Sequence, residues 1–315
     1  MSGYVRREYP QWSWSFSRNQ MFKSCARRYY YNYYGSHNGW EFSAPPSAAL
    51  AYRLKKLTSL YLVLGDALHK SAEHIVERVI AGHDVPSADF VEEEVRRQLR
   101  RVWTSSQKAQ ELFMQRPNRV DMLHEFYYGM EISKQTIEKI NLRATKVAKA
   151  LVKSEIWEEL RKPDTELVSC EQFDTFPLNG TPIYAVPDVL YKTSAGQWVI
   201  VDWKTGEEVE DNKDQVALYA LYVVKKHGVE VEAITARLEY LNLDTVESLN
   251  FTMNELEAVE HSAIQSMEEM QNLLLDPEVN KPMPKEKFAL TDARGLCPWC
   301  NYYELCREEL EENPA

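Results

Sequence analysis

The segment that most constrains the fold is 183–206, IYAVPDVLYKTSAGQWVIVDWKTG, which has the pattern of a β-hairpin. Two runs of β-branched and aromatic residues, at about 184–192 and 198–204, flank small polar residues and a glycine at 193–197. The second run is apolar enough to predict a buried central strand. We therefore expect a sheet to be built around this hairpin.

The charged residues of the hairpin are predicted to converge. With the turn centred on Ala195, antiparallel pairing places Asp188 opposite Asp202, and directly opposed residues share one face of a sheet. Lys204 lies two residues after Asp202 and shares its face, whereas Trp203 points the other way. Two carboxylates and one ammonium group would then lie together.

Two facing aspartates require a positive partner, because like charges opposed across a strand pair are destabilising. A divalent cation with oxygen ligands would supply it. The alternative is a solvated hairpin in which Lys204 neutralises one aspartate. The apolar neighbours Val199, Ile200 and Val201 favour the cation, because they predict burial and buried charges need partners.

Periodicity and turn signals predict the remaining elements. Helices are expected at 18–34 (with Ser17 as N-cap and Gly35 as stop), at 60–80, repeatedly within 86–162, at 211–228 and at 253–275. Strands are expected at 166–176 and twice within 231–252, a turn at 177–180, and a loop over most of 35–58. This order predicts an α/β fold, a mixed sheet flanked by helices with a helical insertion.

The N-terminal segment is basic, although the 315-residue chain has a net charge of −11. Residues 1–60 contain nine lysines and arginines against two glutamates, which leaves −18 for the rest. Such a segment can steer a polyanion locally, or it can consist of ordinary solvated charges. Within 12–34 the basic residues alternate with tyrosines, a composition typical either of single-strand binding or of packing in a core.

Three of the five cysteines form a C-x2-C-x5-C pattern, Cys297, Cys300 and Cys306. Thiolates in such spacing ligate metals, and a fourth ligand from a distant cysteine is expected. Cys25 is available for that role in the N-terminal helix, and Cys170 is expected to be an ordinary buried strand residue.

The hairpin resembles the PD-(D/E)XK nuclease signature, as Pro187-Asp188 followed by Asp202-x-Lys204. The approach to the first aspartate, Ala185-Val186-Pro187, departs from the glycine-rich approach usual in the family but removes no ligand. The pairs Gly65-x-x-x-His69 and Gln215-x-x-x-Tyr219 resemble the RecB-like branch.

The resemblance implies a restriction-endonuclease-like core and a function for each matching residue. His69, Asp188, Asp202 and the Trp203 carbonyl would bind Mg²⁺ or Mn²⁺. Lys204 would orient or deprotonate the attacking water, and Gln215 and Tyr219 would position the strand. Glu171 is a looser match to a further acidic residue of the site.

The cysteine layout resembles the iron–sulfur subgroup of these nucleases, which includes CRISPR-associated iron–sulfur exonucleases and the AddB nuclease domain. That resemblance implies a 4Fe–4S cluster bound by Cys25, Cys297, Cys300 and Cys306, which staples the chain ends together. A structural zinc ion on the same thiolates is the alternative, because cysteine spacing does not separate the two metals.

The resemblance implies a deoxyribonuclease, expected to be an exonuclease on single-stranded DNA in repair, recombination or CRISPR-type defence. The alternative is a nuclease-inactive subunit that binds DNA or a partner. No GxxxxGK[ST] motif is present, so a motor would have to be another chain, such as a DNA-processing or CRISPR adaptation protein. No membrane-spanning run or secretory signal is recognisable, so we expect a cytoplasmic protein.

The expected organisation has five parts. They are a basic and aromatic segment at 1–58, a helix with His69 at 59–85, the helical insertion at 86–162, the nuclease core at 163–275 and the cysteine-rich segment at 276–315.

Overall fold

The computed structural model describes residues 6–312. The first five residues of the polar N-terminus and the last three of the cysteine-rich segment therefore lie outside the described residues. Within the described part of the chain, no helix is both long and apolar enough to cross a membrane.

The helices and strands follow one another along the whole described chain. The α-helices are α1 (Phe16–Ser24), α2 (Ala26–Tyr30), α3 (Pro46–Lys55), α4 (Leu60–Ile80), α5 (Ala88–Lys108), α6 (Gln110–Gln115), α7 (His124–Tyr127), α8 (Lys134–Lys153), α9 (Ile156–Leu160), α10 (Asp211–His227), α11 (Met253–Gln271) and α12 (Tyr303–Glu312). The strands are β1 (Trp14–Ser15), β2 (Leu57–Thr58), β3 (Met122–Leu123), β4 (Glu166–Cys170), β5 (Asp174–Leu178), β6 (Thr181–Ala185), β7 (Val189–Lys192), β8 (Trp198–Lys204), β9 (Ile234–Tyr240), β10 (Thr245–Leu249), β11 (Leu274–Asp276) and β12 (Lys281–Pro282).

A five-stranded mixed sheet with the order β10-β9-β8-β7-β4 forms the centre of the fold. Strands β8 and β9 are parallel, and the other neighbours are antiparallel. Helices α4, α5, α8 and α9 contribute to the apolar core on one face, and α10 and α11 to the core on the other. The prediction of a mixed α/β fold flanked by helices is confirmed.

Strand β8 is buried on both faces. Val199, Val201 and Trp203 pack in the core beside α4, whereas Ile200 packs in the core beside α10. Side chains alternate between the faces of a strand, so Asp202 lies on the same side as Ile200. The sequence-based expectation that β8 is a central strand is therefore confirmed.

The predicted strand at 184–192 is wrong, because it is two strands that belong to different sheets. Strand β6 pairs with β5 and β1 in a three-stranded sheet, whereas β7 pairs with β8. Pro187 lies in the break and lacks the backbone N–H that a continuous ladder would need. The register of the β7–β8 hairpin is as expected, with Val189 opposite Val201. Gly196 lies in the turn between these strands with φ +85°.

The predicted strand at 166–176 is also divided. Strand β4 ends at Cys170, and Glu171 adopts a left-handed backbone conformation with φ +48°. This conformation turns the chain away from the central sheet and into β5. The turn after β5 forms at Asn179 and Gly180, both with positive φ, as the sequence indicated.

The N-terminal part differs from the prediction in three places. Helix α1 starts after the N-cap Ser15 rather than Ser17, and the chain becomes extended at Cys25 before α2 begins. Residues 46–55, expected to be a loop, form α3, in which Pro46 occupies the first helical position, where a missing N–H costs nothing.

The insertion is helical, but only α5 and α8 are long. Both pack against α4, which contains His69. The proposed division into five parts stays a prediction.

The two ends of the chain are joined by direct contacts. Arg27 on α2 is 4% exposed, donates to the Phe288 carbonyl at 3.0 Å and forms an ion pair of 2.7 Å with Glu309 on α12. The rings of Tyr31 and Tyr302 stack with centroids 5.6 Å apart. These contacts hold the segment around Cys25 against the C-terminal cysteines.

Replacing Arg27 should therefore loosen both ends. We expect Arg27→Ala to lower the free energy of unfolding by about 2–3 kcal/mol, because it leaves the buried Phe288 carbonyl without its donor and removes the Arg27 ion pair of Glu309, which keeps Lys285. Urea denaturation followed by circular dichroism measures this change. Arg307→Ala on α12 is the matched control, because Arg307 is exposed and should cost less than about 0.5 kcal/mol. Equal losses in the two variants would contradict the proposed contact.

Candidate metal centre

The candidate site lies where the chain enters β7 and leaves β4 and β8. Helix α4 packs its apolar face on the sheet and brings His69 to this edge. One turn earlier, a Cβ at Gly65 would stand 3.6 Å from Thr205 Oγ1, so this turn of the helix lies directly beside the end of β8. The Gly65-x-x-x-His69 pattern thus places two features on the same side of α4. They are Gly65, where the helix passes close to Thr205, and the imidazole of His69.

His69 faces two carboxylates. Its Nδ1 atom lies 2.8 Å from Glu171 Oε1 and 3.3 Å from Asp188 Oδ1. One ligand atom from each of these three residues lies within 4.8 Å of the other two, so the three form a compact group that could hold a metal ion. The structure thereby brings Glu171 fully into the site. Its family match in the sequence was only loose, because its position depends on the turn at the end of β4.

Asp188 is buried and has a partner for each oxygen. Its Oδ2 accepts a hydrogen bond of 2.6 Å from the Trp203 backbone N–H, and its Oδ1 faces His69. Its carbonyl accepts from the Glu171 N–H at 3.0 Å. Asp188 therefore connects the ends of β4 and β8 with the middle of α4.

Asp202 and Lys204 form the second part of the site. Lys204 Nζ lies 2.6 Å from Asp202 Oδ2 and donates to Gln215 Oε1 at 2.7 Å. The Gln215 amide nitrogen donates in turn to the Tyr219 hydroxyl at 2.7 Å. Both residues lie one turn apart on α10, so the Gln215-x-x-x-Tyr219 spacing places them in one chain of contacts with Lys204.

Trp203 is oriented differently from the other predicted site residues. Its indole is 1% exposed and packs in the core behind the site, so only its backbone faces the carboxylates. A metal contact through its carbonyl stays a prediction.

Without a bound cation, the surroundings of His69, Asp202 and Tyr219 raise the pKa values of these three residues. Burial lowers the pKa of His69 and is the largest single influence on it, but the charges and hydrogen bonds of Asp188 and Glu171 together outweigh burial and raise that pKa to about 11. Burial, and then the charge of Asp188, raise the pKa of Asp202 to about 6, although Lys204 and His69 oppose them. Burial also raises the pKa of Tyr219 well above its usual value, so its hydroxyl stays neutral.

The donor set fits a divalent cation. Carboxylate oxygens with one imidazole suit Mg²⁺ or Mn²⁺, and the residues are held by neighbouring strands and a helix. Asp202 is 2% exposed, and its Oδ2 lies 2.6 Å from the Lys204 ammonium group. Buried carboxylates need positive partners, and a divalent cation would add to the charge that Lys204 supplies.

The cysteines are arranged less tightly. Cys25 lies at the break between α1 and α2, Cys297 and Cys300 in a 3₁₀ segment (Arg294–Trp299) and at its end, and Cys306 on α12. Burial and then the nearby Cys300 raise the pKa of Cys306 to about 12, and Cys25 also contributes. Among the described residues, however, no three cysteine sulfurs lie within 4.8 Å of one another.

Cys170 is separate from the terminal cysteines. It lies on β4, half-buried, and burial and then the charge of Glu171 raise its pKa to about 12. A thiol with such a pKa is inert. Cys170 is thus on a strand as expected, but it is half-buried rather than buried.

The family follows from comparison with known proteins. The model of the PD-(D/E)XK nuclease superfamily matches residues 13–307, nearly the whole chain. The chain therefore belongs to the PD-(D/E)XK nuclease superfamily. A search of curated proteins finds no match.

Metal binding should be coupled to proton release. Because the pKa of His69 is raised to about 11, its ring is protonated at pH 7, and a ligand imidazole must lose that proton. We expect the association constant for Mn²⁺ to rise about tenfold per pH unit between roughly pH 7 and 9, which reflects one released proton. Titration calorimetry in buffers of different ionisation enthalpy counts the protons.

His69→Gln should abolish this pH dependence. His74→Gln is the matched control on the same helix, because His74 is exposed and lies 3.8 Å from Glu77 rather than at the site. Mn²⁺ binding by the parent without proton release would show that His69 is not a ligand.

Proposed function

We propose that the chain is a Mg²⁺- or Mn²⁺-dependent deoxyribonuclease that hydrolyses single-stranded DNA from an end. The observation that carries the proposal is the compact group of His69, Glu171 and Asp188, with the Asp202–Lys204 ion pair at the end of the adjacent strand β8. The superfamily to which the chain belongs supports a metal-dependent nuclease.

The metal would be held by His69, Asp188 and Asp202, with Glu171 beside them. When bound, such an ion polarises a phosphate oxygen and lowers the pKa of the attacking water. Binding also relieves the repulsion between the carboxylates, which the protonated His69 relieves in its absence.

The residues of the chain supply orientation and charge. Lys204 would orient the attacking water and offset the negative charge that develops on the phosphate oxygens. Its contacts with Asp202 and Gln215 restrict the motion of its long side chain. The neutral Tyr219 hydroxyl fixes Gln215 and so completes the support of Lys204.

Exposed aromatic rings near the site support a single-stranded substrate. Phe173 is 80% exposed and meets Tyr184, which is 40% exposed, edge to face with centroids 6.5 Å apart. Phe173 follows Glu171 by two residues, so the pair lies at the base of the β5–β6 hairpin next to the candidate metal centre. Unpaired bases stack on such rings, whereas paired bases remain stacked within a duplex.

The N-terminal tyrosines contribute less than their sequence suggested. Tyr29, Tyr31 and Tyr34 are buried in the core. Tyr33 is half-buried, with the Arg18 guanidinium 3.9 Å from its ring centroid. The core interpretation is thus confirmed for the buried members of this group, and DNA contact by the basic residues stays a prediction.

Removing either charge of the Asp202–Lys204 pair should abolish cleavage. We expect Asp202→Asn and Lys204→Met each to lower the rate of DNA cleavage with Mn²⁺ by about 10²–10⁴-fold, because each loses a group that acts on the water or the metal. End-labelled single-stranded and double-stranded DNA, resolved on denaturing gels over time, reports rate, strand preference and polarity. Lys192→Met at the far end of the same hairpin is the matched control and should cleave like the parent.

Cleavage by Lys204→Met at the parent's rate would contradict the assigned role. Cleavage of internal positions on circular DNA would contradict action from an end. If no form of the protein cuts DNA, the alternative of a binding subunit is favoured.

We further propose that Cys25, Cys297, Cys300 and Cys306 bind a 4Fe–4S cluster. The Arg27 and Tyr31 contacts support it because they hold the two chain ends close to each other. Cysteine spacing does not separate a cluster from a structural zinc ion on the same thiolates, so metal analysis decides between them. Such a cluster would stabilise the fold rather than take part in hydrolysis, and it would suit a subunit of DNA repair, recombination or CRISPR-type defence.

Protein purified without oxygen should be brown and should contain about four iron and four sulfide per chain. Iron and sulfide assays with the visible absorption spectrum measure this content. Cys297→Ser should lose colour and solubility, whereas the control Cys170→Ser should retain both. One zinc per chain without sulfide would contradict the cluster.

A further inference from the structure

A buried network of charged residues lies behind the candidate metal centre, on the opposite face of the central sheet. Glu239 on β9 is 1% exposed and stands beside Trp203 in the parallel register of β8 and β9. Its Oε2 accepts from the Trp203 indole Nε1 at 3.0 Å, and its Oε1 accepts from the Ser154 hydroxyl at 2.9 Å. The Arg237 guanidinium lies 3.4 Å from Oε1.

We propose that Glu239 is a positioning residue for the metal centre and acts through Trp203. This inference rests on the proposed metal site. Trp203 is held at two points, by its indole N–H on Glu239 behind the sheet and by its backbone N–H on Asp188 in front of it. A residue fixed at both points cannot slide along the strand, so Glu239 fixes where the backbone N–H meets the Asp188 carboxylate.

The position of Trp203 in the chain extends this effect to the rest of the site. Trp203 stands between Asp202 and Lys204, whose side chains reach the opposite face. A displacement of Trp203 would therefore move both neighbours relative to Asp188. The Trp203 ring also stacks on Trp157 with centroids 5.8 Å apart, and this contact further restricts the movement of the ring.

Burying the Glu239 carboxylate costs free energy, so its position is not a by-product of packing. Burial raises the pKa of Glu239, while Ser154, Arg237 and Trp203 oppose that rise. Arg237 is itself 9% exposed and forms a second ion pair of 3.2 Å with Glu159. An apolar pair would fill this volume without desolvating charge, so the network is expected to serve orientation rather than stability.

The decisive measurement is Mn²⁺ affinity, because it reports ligand geometry without requiring catalysis. Free Mn²⁺ is followed by electron paramagnetic resonance in the full-length parent and in Trp203→Phe, which keeps a ring but loses the indole N–H. Changes in the partners of metal ligands typically weaken binding by about 10–100-fold, and we expect at least tenfold weaker binding in Trp203→Phe. Glu239→Leu should weaken binding to a similar extent, whereas Glu239→Gln, which keeps an acceptor for the indole, should bind within about threefold of the parent.

The double variant tests whether the two residues act as one unit. Glu239→Leu with Trp203→Phe should bind Mn²⁺ no more weakly than either single variant, because the hydrogen bond can be lost only once. Additive losses would overturn the proposal.

Trp14→Phe is the matched control for instability. Trp14 is 2% exposed and also donates a buried indole N–H, in this case to the Ser266 hydroxyl, so the chemical change is the same. Urea denaturation should show comparable losses of stability in Trp14→Phe and Trp203→Phe, with Mn²⁺ affinity lowered only in the latter. Equal affinity in the two variants, whether lowered or unchanged, would overturn the positioning role.

The measurements separate this inference from the proposed function. A parent that binds Mn²⁺ without cutting DNA contradicts the nuclease proposal and leaves the Glu239 comparison decisive. A parent that cuts DNA while Trp203→Phe binds Mn²⁺ normally contradicts only the positioning role. A parent that binds no Mn²⁺ overturns both.

Discussion

The buried carboxylate of Asp188 is the interaction on which the site depends. A buried negative charge must be compensated, and here the compensation comes from a backbone N–H of β8 on one oxygen and from His69 of α4 on the other. Because its carbonyl also binds the Glu171 N–H, the same residue fixes the exit from β4. Three elements distant in the sequence are thus brought to one point by the need to satisfy one aspartate.

The central sheet separates two environments. The α10 side of β8 presents Asp202 and Lys204 toward Gln215, where charges meet at the edge of the core. The other side holds Trp203 against Glu239 in a core formed mainly by the helical insertion and α4. The insertion, which has no motif of its own, therefore matters to the site, since it buries the face that supports β8.

The β7–β8 hairpin was predictable because its register depends on local rules, namely side-chain alternation and a turn with glycine at positive φ. The division of the predicted strand 184–192 was not, because residues typical of strands lie on both sides of Pro187 and do not show that the sheet changes there. The break of the N-terminal helix at Cys25 was missed for a similar reason, since the interruption depends on contacts of α2 with the C-terminal segment, such as the Arg27 N–H on the Ala289 carbonyl. Local pattern shows which residues can form an element but not where distant contacts divide it.

The sequence by itself determined the α/β class, because that follows from the order of its helices and strands. It also determined the pairing of β7 with β8 and the presence of Asp202 and Lys204 on one face, because these follow from spacing along one hairpin. Only the tertiary structure decided that Glu171 joins His69 and Asp188, and that Glu239 lies behind Trp203. Both depend on how separate segments pack. The physical reason is that spacing along the chain sets which face a side chain occupies, while burial and the pairing of buried charges set which faces meet.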